Sequence, residues 1–258
     1  MLSIIKTMQQ TIVAFSIAVL LSGCGGTKVL KEPEPLEIGQ PIIADSDERV
    51  AVVLDWVIVR DGPGTWAKNA DWDEYLLRIQ NVSERPVEIR SVTVLDSSLT
   101  SQHSVADRKR LVRATRETAR RYEDEGVEVK AGTGATTLVA VGGISASVGM
   151  GAGAAAMYGS GAALGATAGA LLLAPVLITN GIVRGVNNGK VNKEIGLRQS
   201  MLPRTIAAGE VAALNLFFPI APSPASVEVA YADADGEYVL AIDTTAPLDG
   251  LHLPKDDR

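Results

Sequence analysis

Apolar and polar positions along this chain change pattern several times. Residues 49–60 (RVAVVLDWVIVR) are apolar on both faces, with Val50, Val52, Leu54, Trp56 and Ile58 on one of them. That predicts a central strand. Residues 72–81 alternate, Tyr75, Leu77 and Ile79 facing one way and Glu74, Arg78 and Gln80 the other. Residues 87–95 begin with Val87 and Ile89 inward and then shift phase to Val92 and Val94, which predicts a bulge near Ser91. NVSERP, residues 81–86, supplies turn chemistry between the second and third runs. Alternation returns near the C-terminus over residues 210–218, 225–231 and 238–242, with Asp233 to Gly236 as a hairpin turn between the last two. The expected architecture is mainly β with inserted α. It is an immunoglobulin-like antiparallel sandwich, residues 49–100 plus 206–246, interrupted by a basic helix and a Gly/Ala-rich helical hairpin.

The insertion opens with a helical pattern over residues 104–130. Ser104 is the expected N-cap, with Asp107 at the capping-box position. Lys109, Arg113, Arg116 and Arg120 recur at spacings of four, three and four, so they line one face. Leu111, Val112, Ala119 and Tyr122 form a thin apolar side. The basic stripe reads either as a solvated face or as a surface for anionic headgroups.

From residue 131 to residue 183 there is no charged residue. Two apolar segments, 137–158 and 162–183, are each long enough to cross a hydrocarbon core of about 30 Å as helices. Gly159, Ser160 and Gly161 separate them, so residues 131–184 are expected to form a hairpin. Small residues recur every four positions: Gly143, Ser147, Gly151, Ala155 and Gly159 in the first segment, Gly161, Gly165 and Gly169 in the second. Rows of this kind let helix backbones approach closely. The segment resembles the glycine zippers of bacterial envelope proteins, which implies packing in lipid, against a protein partner, or by self-association. Residues 185–205 are read as a connector and residues 247–258 as a polar tail.

At the other end of the chain, Lys6 precedes an apolar run of about ten residues, too short to span a bilayer. Leu21, Ser22, Gly23 and Cys24 follow, and Cys24 is the one cysteine of the chain. These four residues resemble the lipobox of bacterial lipoproteins. The resemblance implies removal of residues 1–23 by cleavage between Gly23 and Cys24, and acyl chains, palmitate among them, on Cys24. Gly25 stands where an inner-membrane retention signal would place Asp, which leans towards the outer membrane. Residues 24–48 are polar and Pro-containing and are expected to be a tether with a reach of roughly 25–30 Å.

Composition narrows the functions. The formal charge is −6, which argues against a general nucleic-acid role. A single cysteine excludes an intramolecular disulfide and a zinc site built on thiolates. The two histidines, His103 and His252, lack carboxylate partners at ligand spacing and are expected at the surface. Asp45 to Glu48 and Asn69 to Asp73 read as solvated loops rather than calcium loops, and Trp66 and Trp72 as strand-end packing. No serine-hydrolase elbow, zinc-protease helix or phosphate loop occurs. The expectation is therefore a membrane-anchored envelope lipoprotein without catalytic residues, without a metal, and with no cofactor beyond the lipid. Its role would be structural, assembly or binding. An oligomerising, pore-forming protein and an accessory subunit of an envelope enzyme or transport complex are the alternatives.

Overall fold

The computed structural model describes residues 27–33, 36, 38, 40–135, 138 and 188–254. The expectations for Gly23, Cys24 and the eight small residues from Gly143 to Gly169 lie outside these residues.

Among the described residues there are eleven strands and two helices. The strands are β1 (Lys28–Val29), β2 (Ile43–Ser46), β3 (Val50–Ile58), β4 (Ala67–Lys68), β5 (Asp73–Asn81), β6 (Val87–Leu95), β7 (Ser101–His103), β8 (Arg204–Ile206), β9 (Val211–Phe218), β10 (Ser226–Ala232) and β11 (Glu237–Asp243). The helices are α1 (Arg108–Asp124) and α2 (Asn188–Arg198). One antiparallel sheet has the order β2-β3-β5-β9. A second has the order β11-β10-β6, with β7 and β8 both pairing with the far edge of β6 at its two ends. Inward-facing residues of both sheets form one core, among them Val52, Leu54, Tyr75, Ile79, Ile89, Val94, Leu214 and Val229. The chain is thus mainly β, two antiparallel sheets face to face.

β3 lies inside its sheet and is buried along its whole length, as its continuous apolar run requires. The phase shift in β6 is a bulge: Ala230 pairs with Ser91 and Tyr231 with Ile89, leaving Arg90 as the extra residue. A second bulge has no signal in the sequence. Leu54 pairs with Leu77 and Trp56 with Leu76, so Asp55 is extra in β3. Asp55 is buried and takes a two-pronged bond from Arg78, Nε to Oδ2 and Nη2 to Oδ1, each 2.6 Å. Burial raises the Asp55 carboxyl above its ordinary range, and Arg78 opposes that shift.

Three expectations about how the chain divides need correction. The tether of residues 24–48 is, from Thr27 onward, largely packed on the domain: β1 pairs with β4, β2 with β3, and Leu36 and Ile42 are buried in the core. The polar tail of residues 247–258 places Leu248, Leu251 and His252 in the interior. The connector of residues 185–205 contains α2, whose Val191 and Ile195 enter a second apolar cluster with Leu111, Trp66, Trp72 and Phe217. In each case widely spaced apolar residues meet a surface contributed from far away in the chain.

Candidate functional site

One end of the sandwich gathers the parts that the sequence singles out. Here β3, β9, β6 and β11 finish and β5 and β10 begin. α1 crosses this end. Its N-cap is Asp107, not Ser104, and the Asp107 carboxylate accepts from the Arg110 N–H at 2.9 Å. Residues 104–106 stay outside the helix, and the Val105 N–H donates to the Phe217 carbonyl. The helix stops at Gly126, which has φ +80. The Gly126 N–H reaches the Glu123 carbonyl and the Val127 N–H reaches the Tyr122 carbonyl, a Schellman termination that favours glycine.

The buried side of α1 is Leu111, Thr115, Thr118 and Tyr122. Two of these are hydroxyls that tie the helix to strand ends. Thr115 donates to the Asp71 carbonyl at 2.7 Å and accepts from the Ile220 N–H at 3.1 Å. Thr118 accepts from the Gln102 amide in β7 at 3.1 Å. Val112 and Ala119, expected on the apolar side, are only half-buried. On the outer side Lys109, Arg110, Arg113, Arg116, Glu117 and Arg120 are exposed. Among the described residues nothing pairs with Lys109, Arg113, Arg116 or Arg120.

The start of the described chain is fixed against the N-terminal end of α1. Thr27 is buried, donates to the Asn69 carbonyl at 3.1 Å and accepts from the Arg108 guanidinium at 2.9 Å. α2 begins nearby, and the Asn192 side chain accepts from the Arg108 N–H at 3.1 Å. Residues 130–135, the entry to the uncharged stretch, are latched at the same end by His252. The Gly132 N–H donates to His252 Nδ1 at 3.1 Å, and Nε2 lies 2.8 Å from Asp73 Oδ2. Since Nδ1 accepts, Nε2 carries the ring proton and donates to Asp73. The His252 backbone adds two bonds, its N–H to the Thr133 carbonyl and its carbonyl from the Lys130 N–H. His252 is fully buried, so the surface placement expected for it is wrong; only His103 is exposed. Asp73, expected in a solvated loop, is 1% exposed.

A histidine–carboxylate pair suggests acid–base chemistry, but here both ring nitrogens are occupied and the pair is sealed from solvent. It supplies no lone pair to a substrate. A β-carbon at Gly132 would sit 2.3 Å from the Arg60 carbonyl oxygen, and one at Gly134 2.5 Å from the Gly250 carbonyl oxygen. Both have positive φ, so glycine is required twice in this close approach.

Beneath α2, Glu74 is a buried carboxylate on the face of β5 that the sequence assigns to polar residues. It accepts from Trp66 Nε1 at 2.8 Å, and Arg198 lies over the Trp66 ring at 4.9 Å. Burial raises the Glu74 carboxyl, while Arg198 and the Trp66 bond oppose the shift. Trp66 packs on Trp72 at 6.2 Å and edge-on to Phe217 at 6.3 Å, the strand-end packing expected of the two tryptophans. Elsewhere a cavity of about 240 Å³ opens where the edge of β6 lies bare between β7 and β8. Ser104 and Gln199 line it, and their buried Oγ and Oε1 have no partner among the described residues.

Among the described residues, no group of three or more His, Cys, Asp or Glu could hold a metal ion. No helix among them is long and apolar enough to cross a membrane. Comparison with family models, curated proteins and solved structures finds no match to this chain.

Proposed function

We propose that this chain is a non-enzymatic lipoprotein of the bacterial envelope, held by acyl chains on Cys24 and facing the periplasm, with the outer membrane as its site. The observation that carries it is convergence at one end of the sandwich. Thr27, three residues after Cys24, is fixed there, and so are residues 130–135 and α2, which stand on either side of residues 139–187 in the sequence. A lipid anchor and an apolar segment that served the same membrane would have to leave the domain from one side. The sandwich is of the immunoglobulin-like kind and acts as a binding or assembly module. Residues 131–184 form a glycine-zipper hairpin that packs in lipid or against protein. The sealed His252–Asp73 pair supports a structural rather than a catalytic role.

Mass spectrometry of the purified full chain tests the anchor. Acylated Cys24 at the mature N-terminus, together with release of a Cys24→Ala variant from part of the membrane fraction, is the expected outcome. An unmodified thiol in a chain that stays monodisperse in plain buffer would overturn it. Dye release from liposomes by the intact chain would favour a pore over an assembly component.

A further inference from the structure

We infer that α1 is the face on which this domain lies against an anionic lipid surface, with Lys109, Arg113, Arg116 and Arg120 at the headgroups. This rests on the reading of Cys24 as the lipid attachment point. It goes further, because it replaces a domain held off the membrane by one docked directly on it.

The leash is short. Thr27 is fixed by Asn69 and Arg108, so only three peptide units separate the immobile domain from Cys24. Fully extended they span about 11 Å. Even at full stretch that is between one and two Debye lengths of about 8 Å at physiological ionic strength, so the headgroup field is weakened there but still acts. Acyl chains on Cys24 therefore hold the N-terminal end of α1 inside the field of the headgroups.

The charges of α1 are arranged for that placement. From Lys109 to Arg120 the exposed positions are five basic residues and Glu117. These span about 16 Å of helix. The acidic residues Glu123, Asp124 and Glu125 gather at the opposite end of the helix, away from the leash. The basic stripe starts one residue after Arg108, which holds Thr27, and ends before the acidic cluster, which suits a helix whose N-terminal part lies on an anionic plane. The four cations of the stripe have no partner among the described residues, so docking breaks no ion pair within the fold. Lys130 and α2, which stand before and after residues 139–187 in the sequence, are also at this end.

The test uses the mature, full chain in phosphatidylcholine vesicles with or without phosphatidylglycerol, and a lipid carrying a nitroxide on its headgroup. A fluorophore is placed on a cysteine introduced at Glu117 in α1, or at Glu84 in the exposed turn at the opposite end. The two sites are separated by the length of β5, about 27 Å. Quenching at position 117 but not at 84, dependent on phosphatidylglycerol and lost with R113Q/R116Q, is expected. Each basic residue removed should weaken headgroup association about fivefold. Equal quenching at both positions, or quenching at 117 indifferent to phosphatidylglycerol and to R113Q/R116Q, would overturn the docking while leaving the anchor intact. The parent chain provides the separation. With Cys24 acylated it has no thiol and takes no label; a parent that labels at Cys24 overturns the anchor reading and the docking with it.

Discussion

Removing the His252 ring should loosen the entry to the uncharged stretch at a cost that the structure lets us divide. His252→Ala deletes a fully buried imidazole and both of its bonds, to Asp73 Oδ2 at 2.8 Å and from the Gly132 N–H at 3.1 Å. Asp73 is then left as a buried carboxylate, its Oδ1 already without a hydrogen-bond partner among the described residues. Removing the donor from a buried acceptor costs about 1–3 kcal/mol, and more when the acceptor is charged. Asp73→Ala should cost somewhat less, since a neutral imidazole left behind is easier to bury. The double variant should recover part of the sum, giving a coupling of about 1.5–3 kcal/mol for a hydrogen bond to a charged group. Chemical denaturation followed through Trp66 and Trp72 fluorescence, in mild detergent for all four chains, measures the cycle. Hydrogen exchange at residues 130–135 adds a local readout, with protection falling in His252→Ala before the sheets open. A coupling below about 0.5 kcal/mol would refute the latch, because contacting residues in one network do not behave additively.

Gly132→Ala and Gly209→Ala form a matched pair. Both positions have positive φ, but only at Gly132 would the new methyl group meet a backbone carbonyl, so Gly209→Ala should cost about 1 kcal/mol and Gly132→Ala at least about 2 kcal/mol more, by thermal or urea unfolding; equal losses would contradict the close approach. Glu74 is raised by burial, so the fold favours its protonated form, and its contribution is fully present below the unfolded pKa and lost as pH rises through the folded one. The stability difference between Glu74→Gln and the parent should therefore grow in favour of the variant as pH rises from about 4; a constant offset in urea titrations across pH would show that Glu74 does not titrate differently in the fold. Leu111→Ala removes the fully buried anchor of α1 in the second apolar cluster and should cost about 2–5 kcal/mol in the same assay; a loss under 1 kcal/mol would mean that α1 is held by its threonine bonds instead.

Strand positions were readable wherever side chains alternate on a buried face. β3, β5, β6 and β9 to β11 all lie where the periodicity predicts them, and the phase slip in Val87–Leu95 marks the bulge at Arg90. α1 was readable from its basic spacing, though its N-cap shifted to Asp107 because residues 104–106 stay outside the helix, with Val105 bonded to Phe217. β1 and β2 were missed since they are two and four residues long, too short for a period to show. Glu74 reads as solvent-facing because alternation alone cannot tell that Trp66 will cover it. Of the candidate site, the stripe from Lys109 to Arg120 was legible and its neighbourhood was not.

From the sequence by itself came the strand periods, the basic helix face, the uncharged stretch after Lys130 and the one cysteine at position 24. These are local properties, since a period of two or 3.6 needs only near neighbours to be visible. Tertiary structure alone decided that Thr27 is fixed beside Arg108, that Asp73 meets His252 across 179 positions, and that α1, residues 130–135 and α2 share one end of the sandwich. Such pairings depend on how two sheets close over a common core, and no stretch of neighbouring residues encodes the distance between them.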